Sequence, residues 1–213
     1  LPLGASAGAP GTSLGGSHDV GGSVGEGSDG ISIHGSRATD QHMFLDGMNY
    51  AWAYGYAGGA YRNYQPNQWA TQEVTVETAG QSAEARTGGV QGNYVPKDGG
   101  NTLRGVGNVN FADKRLQTDN LDAALKARGI TSASPIKRIY DDGVGVGGRI
   151  VRDKLWFYGS ARKWLSSSYT AAGIYFSATP HSLFYTPDTS RPAYSEEAGR
   201  NFGIRVTWQA SDK

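Results

Sequence analysis

The stretch Gly143–Trp164, GVGVGGRIVRDKLWFYGSARKW, decides how the rest of the chain is read. Arg152, Asp153 and Lys154 form a tight polar turn between two strand-like runs. Upstream, Val144, Val146 and Ile150 fall on one parity, and Gly145, Gly147 and Arg149 on the other. Downstream, Leu155–Trp164 has the length at which a tilted strand crosses a bilayer, roughly 9–11 residues. Trp156, Phe157, Tyr158 and Trp164 stand near its ends, where an outer-membrane barrel keeps its aromatic girdles. If this is a membrane hairpin, the glycine-rich region before it is best read as what fills the barrel.

A second ribbon repeats the pattern. In Asn201–Gln209, NFGIRVTWQ, the residues Phe202, Ile204, Val206 and Trp208 share one face. Asn201, Gly203, Arg205, Thr207 and Gln209 share the other. A lipid-facing side and a wet lumen side would alternate in this way, with Trp208 a further girdle candidate. A sandwich strand would alternate too. Connection lengths argue for the barrel. Short turns (152–154 and 211–213) alternate with long excursions (117–140 and 166–199), as periplasmic turns alternate with outer loops.

Composition excludes several classes. Lys plus Arg is 20 and Asp plus Glu is 19, a net charge of +1 without charge runs, so electrostatics make no case for a nucleic-acid partner. The 213 residues include 32 glycines, about twice the usual share, with 12 tyrosines and 5 tryptophans. That mixture suits turns, β-structure and interfaces better than helical packing. There is no cysteine, hence no disulfide framework and no thiolate metal site. No run of 18 apolar residues exists, which excludes a spanning helix but not a barrel, whose strands keep hydropathy low. The opening LPLGASAGAP has no basic start followed by an apolar core, and residues are expected upstream of it.

Ahead of the hairpin, residues 1–30 are Gly, Ser and Ala rich and read as a linker or loop. Ile31 and Ile33 alternate with polar residues, Gly35 breaks the strand, and Met43–Leu45 leads into a turn at Asp46-Gly47. Asn49–Trp69 interleaves Tyr50, Trp52, Tyr54, Tyr56, Tyr61, Tyr64 and Trp69 with Gly and Ala. Such rings give large contact area at small entropic cost, so Tyr50, Trp52, Tyr54, Tyr56, Tyr61, Arg62 and Tyr64 are the candidate ligand contacts. Against this stands packing of the same rings on the protein's own barrel wall. Gln72–Thr78 reads as a strand with Val74 and Val76 inward. Gly88–Val95 reads as another, ending at Pro96, followed by a turn cluster at 97–101 and a strand through Leu103–Phe111. One helix is expected, Asn120–Arg128, capped by Asp119 or Asn120, with Gly129 beyond and Asp122 supporting Lys126.

Catalytic patterns are poor, and the chain reads as a non-enzyme without a cofactor. Gly143-x-Gly145-x-x-Gly148 matches the dinucleotide fingerprint formally, yet no buried strand precedes it and no helix opens after it. Glycines thinning a barrel strand explain it better. His18, His34, His42 and His181 form no HExxH pair and read as solvated loop histidines, so no metal site is assigned. Asp141-Asp142 reads as a loop end.

At this point the residues carry a resemblance. ISIHGSR (31–37) followed by FLDG (44–47) resembles the plug of TonB-dependent outer-membrane receptors, closest to the Oar-like branch with a carboxypeptidase-regulatory-like N-terminal module. QEVTV (72–76) and SAE (82–84) resemble the next plug strand and turn. Gly88-Gly89-Val90 through Lys97-Asp98-Gly99-Gly100-Asn101 is similar to the plug-to-barrel signature, with Pro96 in place of its usual Thr. Asn120–Gly129, then GGRI (147–150) and DKLWFY (153–158), looks like the first barrel strands and first long loop.

The resemblance implies a mainly β chain: the C-terminal half of an α+β plug domain, then the first antiparallel strands of a transmembrane barrel of about 22 strands when complete. The expected division is 1–101 plug and 102–213 barrel. Implied with it are active import of an unidentified ligand across a Gram-negative outer membrane, and a TonB-type energy-transducing complex pulling on a box upstream. Outer-membrane lipid is the other implied partner. Gly35, Arg37, Asp46, Gly47, Gly88, Gly89, Lys97, Gly100 and Asn101 fall on the plug motifs. Arg37 and Asp46 are expected to hold the plug in its barrel through charge-assisted hydrogen bonds. Two other classes compete: an Oar-like surface adhesion or assembly protein without energised uptake, and a secreted carbohydrate-active β-sandwich enzyme.

Overall fold

The computed structural model describes residues 5–7, 31–33, 35–50, 66–78, 85, 88–118, 121–129, 135–170 and 174–211. β1 (Ala5–Ala7) pairs antiparallel with β2 (Ile31–Ile33). A 3-10 turn at Ala38–Asp40 leads into β3 (His42–Leu45), which folds back on β4 (Met48–Asn49). Asp46 and Gly47 make that reversal with φ of 53° and 77°. A type I′ hairpin turn requires two left-handed residues, and Asp-Gly tolerates them. The strand expected at Met43–Leu45 and the turn after it are thus in place.

β5 (Thr71–Glu77) and β6 (Gln91–Pro96) complete the first sheet, in the order β4-β3-β6-β5. β6 is parallel to β3 and antiparallel to β5. The core of this sheet is thin, with Met43 and Val90 buried. Val74 and Val76, expected inward, are 47% and 51% exposed. β5 is one of the sheet's two edge strands, and from Gln72 to Glu77 its side chains are exposed on both faces. Alternation sorts side chains into two sets without deciding what lies against each.

The second sheet is an antiparallel array of β7 (Arg104–Asp113), β8 (Ile136–Val151), β9 (Leu155–Tyr169) and a fourth strand described below. Between β7 and β8 lies α1 (Ala123–Ala127). It starts later than expected because Asp122 is the cap, its Oδ1 accepting the Leu125 N–H at 2.7 Å. An acceptor so placed satisfies one of the orphan donors of the first turn, so Asp122 serves as cap instead of as the partner of Lys126. After β9 a small hairpin, β10 (Tyr175–Ser177) and β11 (Pro187–Pro192), precedes β12 (Tyr194–Trp208). β12 then pairs with β9 over fifteen successive residues.

These long strands correct the expected excursions. β8 begins at Ile136 instead of Gly143, β9 runs on to Tyr169, and β12 starts at Tyr194. The connections therefore shrink to 114–135 and 170–193. A hydrogen-bonded ladder needs no apolar side chains, so Ser166, Ser167 and Ser168 pair with Glu197, Glu196 and Ser195 where hydropathy alone suggests a loop. Asp141-Asp142 likewise lies within β8, not at a loop end, and His42 lies in β3, half-buried.

The hairpin turn is as expected, with Asp153 left-handed at φ 57°. On one face of the second sheet stand Phe202, Ile204, Val206 and Trp208, between 57% and 79% exposed. Their cross-strand partners Ala161, Gly159, Phe157 and Leu155 lie on the same side. The apolar series stops at one level, where Arg200 faces Lys163 and Lys163 faces Asp142. On the opposite face Gly145, Gly147, Tyr158, Ser160 and Arg162 are buried.

That register corrects three girdle assignments. Trp156, Tyr158 and Trp164 share the parity of the buried face, not of the exposed apolar one. Successive side chains point to opposite sides, so once Phe157 aligns with Val206, Trp156 and Tyr158 turn inward together. Trp208, 70% exposed, and Phe157, the partner of Val206, lie on the apolar face.

Candidate functional site

The buried face of the second sheet receives the first sheet, and the glycine-rich motif explains how. Gly143, Gly145 and Gly147 follow one parity along β8, leaving a smooth track. The Trp69 indole lies against Gly143, where a β-carbon would overlap it. The Tyr158 ring lies along Gly145 and Gly147 in the same way, and its hydroxyl donates to the Trp69 carbonyl at 2.6 Å. Gly143, Gly145 and Gly147 thus form a docking groove for two aromatic rings, while Gly148, the third glycine of the fingerprint, falls on the other parity against Leu103. Trp69 is held in place by its own 3-10 turn (Gln68–Ala70). Asn67 caps it, accepting the Trp69 N–H at 3.0 Å, while Thr71 Oγ1 donates to the Asn67 carbonyl at 3.0 Å.

An ionic node ties the same surfaces together. Arg205, on the inner parity of β12, donates from Nε to Asp98 at 2.6 Å and from Nη1 to Asp46 at 2.7 Å. Thr207 Oγ1 adds a bond to the same Asp98 oxygen at 2.8 Å. Farther along the inner face Arg162 makes a two-pronged pair with Asp141, at 2.8 and 2.7 Å. The Arg162 side chain is 8% exposed and the carboxylate 25%. Such a fork fixes geometry as well as charge. Lys97 stands over the Tyr158 ring, 6.0 Å from its centroid. A cavity of about 440 Å³ opens here, its polar lining including Asn67, Thr71, Lys97, Ser160, Asn201 and Arg205.

The link between the sheets is fastened at the short turn. Asn101 Nδ2 donates to Asp153 at 2.5 Å, and Asn101 Oδ1 accepts from the Asp153 N–H at 3.1 Å and Trp156 Nε1 at 2.9 Å. A net intramolecular hydrogen bond contributes about 1 kcal/mol, less where water can replace it. Asn101→Ala is therefore expected to cost about 1–2 kcal/mol and to speed tryptic cleavage at Lys97 and Arg104. Unchanged cleavage would show that the linker is held by its backbone alone.

The remaining sequence candidates distribute unevenly. Gly35 and Gly47 take positive φ, Gly89 is pressed on the Asp40 backbone, and Gly88 and Gly100 face open space. Arg37 is exposed and makes no ion pair to the second sheet among the described residues. Tyr50 packs edge-to-face on Tyr94, centroids 6.2 Å apart, so its ring rests on the first sheet. Trp52, Tyr54, Tyr56, Tyr61, Arg62 and Tyr64 lie outside the described residues, as do His18 and His34. Among the described residues there is no cluster of three metal-ligating side chains. Sequence reasoning did not single out Trp69, Asp98, Arg205 or the Asp141–Arg162 pair. One signal was available, since Arg205 is a charge in mid-strand on the parity away from the apolar residues.

No protein-family model matches the sequence, and no curated protein does. The structure is similar to that of the siderophore receptor PirA from Acinetobacter baumannii, with a TM-score of 0.51 at 14% identity. The likeness covers 87% of this chain and 24% of that receptor, so the chain spans about a quarter of its length. At this identity the likeness establishes the fold: a mainly β chain whose antiparallel sheets match part of a β-barrel receptor.

Proposed function

We propose that this chain is part of an outer-membrane import receptor, with residues 1–101 belonging to the plug and 102–213 to the barrel wall. The observation that carries the reading is the two-sided second sheet. One face is apolar and exposed, and the other holds a docked sheet through aromatic and ionic contacts. In water the first face would be an association hazard; against hydrocarbon it is matched. Among the described residues, β7 and β12 each present an unpaired edge of this sheet. Backbone polar groups in lipid must be paired, so the reading requires further strands that close the barrel around the first sheet.

Import is favoured over passive passage because the docked sheet blocks the lumen side and must be remodelled for a ligand to pass. Energy for that step would come from a TonB-type complex acting on the N-terminal side. The ligand would be met at the outer end by the aromatic segment Tyr50, Trp52, Tyr54, Tyr56, Tyr61, Arg62 and Tyr64. Siderophores are the first class to test, since the structural neighbour is a siderophore receptor. Cells carrying the whole protein should accumulate iron from a labelled ferric siderophore panel, and a protonophore should abolish the accumulation. Siderophore retention unaffected by the protonophore would sink energised uptake, and purification without detergent would sink the membrane assignment.

One observation favours a second reading, surface adhesion. Leu183, Phe184 and Tyr185, on the connection between β10 and β11, are 99%, 80% and 61% exposed. Replacing all three with Ser should leave siderophore accumulation intact if import is the function, and should abolish cell-surface attachment if adhesion is.

A further inference from the structure

Arg205 is held by two carboxylates that belong to different segments of the chain. Asp98 sits in the 97–101 segment, which continues directly from β6. That segment is fastened by the Lys97 N–H to the Ala70 carbonyl at 2.7 Å, by Gly99 packed on the Phe157 and Gly148 backbone, and by the Asn101 bonds to the hairpin turn. Asp46 sits instead at the tip of the β3–β4 hairpin, at one side of the first sheet. Its ties to the rest of that sheet include a short parallel pairing of β3 with β6, the His42 N–H to the Val90 carbonyl at 2.8 Å, the Asp46 N–H to the Tyr94 carbonyl at 2.9 Å, the Gly47 N–H to Asn93 at 3.1 Å, Met43 packed on Gly92 and the Tyr50 ring on Tyr94, none of which involves the 97–101 segment.

We propose that the two acids divide the work: Asp98 is the standing partner of Arg205, and Asp46 is the one released when the β3–β4 hairpin peels from β6. The proposal rests on the import reading above, in which a pull arrives from the N-terminal side. The hairpin is the part of the sheet that such a pull reaches first, and it can leave without breaking the 97–101 fastenings. When it leaves, the guanidinium keeps the Asp98 bond and is never stranded without a carboxylate. Stranding a charge in a partly buried interface is the costly step in opening one. The second acid removes that cost, so opening the hairpin costs only the partly solvated Asp46 contact. Side-chain exposures of 36% for Arg205, 44% for Asp46 and 50% for Asp98 place both contacts in the partly solvated regime, so the asymmetry comes from how each acid's segment is fastened. Thr207, bonded to Asp98 and not to Asp46, reinforces the standing side.

The test is backbone hydrogen exchange by mass spectrometry on the whole protein in detergent, which reads local opening and does not depend on transport. Asp46→Asn should speed exchange over residues 42–49 about threefold and leave 97–101 unchanged. Asp98→Asn should speed exchange over 97–101 and slow it over 42–49, because release of the hairpin would then strand the guanidinium. Arg205→Gln should match Asp98→Asn over 97–101 and Asp46→Asn over 42–49. Equal responses of both segments to Asp46→Asn, or no response to it, would overturn the division of roles. Siderophore accumulation measured in parallel separates the outcomes: its absence with the exchange pattern intact removes the import reading and leaves the asymmetric latch standing.

Discussion

Gly143→Val is expected to undock the first sheet from the second. A β-carbon at this position overlaps the Trp69 indole, and the strand backbone that carries it is paired on both sides, with Asn108 and Arg162. Neither partner can retreat cheaply. Overpacking of a well-packed site costs about 1–3 kcal/mol, and loss of a packed Trp costs about 3–5 kcal/mol. The half-buried Trp69 falls near the lower end of that range, so a loss of about 3 kcal/mol of docking is expected. The Tyr158 hydroxyl bond to the Trp69 carbonyl is lost with it. Limited proteolysis within residues 66–71 of the whole protein in detergent, by a protease of broad specificity, measures this directly, since that turn is largely covered while docked and β5 beyond it is exposed. Trp69→Ala should weaken docking by a similar amount, and the double variant should cost far less than the sum, because both changes remove one contact. Additive losses would show that Gly143 matters for strand pairing and not for the indole.

Ile204→Arg is expected to have the largest effect on insertion. Ile204 is 79% exposed on the apolar face, between Phe202 and Val206 on its own strand and beside Gly159 of β9. An Arg on the lipid face of a barrel costs about 2–4 kcal/mol at the bilayer midplane and about 0–1 kcal/mol near the interface. Asn201→Lys places a charge on the other parity, beside the cavity, and should cost less than about 1 kcal/mol. Urea titration of the whole protein folded into phospholipid vesicles reads both. Equal costs at the two positions would mean that the apolar face does not meet hydrocarbon, and the membrane reading of the second sheet would fail with it.

Much of the fold was legible because period and turn chemistry are local. The parity of Phe202, Ile204, Val206 and Trp208, the Asp46-Gly47 reversal and the Arg152–Lys154 turn each need only a few neighbouring residues to specify them. The candidate site was far less legible. Asp46, Asp98 and Arg205 are separated by about fifty to over a hundred positions, and nothing in their flanks says that one guanidinium will gather both acids. Trp69 stood in an aromatic run whose other members offered the same chemistry. What distinguishes it is the bare track of Gly143, Gly145 and Gly147, seventy-odd residues away.

The girdle residues mark the boundary between the two kinds of information. By itself the sequence determined that Leu155–Trp164 is a strand, that Trp156, Tyr158 and Trp164 lie on one side of it and Phe157 on the other, and that a short turn links it to a glycine-rich neighbour. Which side meets the docked sheet was decided only by the tertiary structure, where Phe157 aligns with Val206 and Tyr158 with Arg205. A period of two divides side chains into two sets without labelling either; the label comes from the surface that each set is pressed against, and that surface belongs to a distant part of the chain.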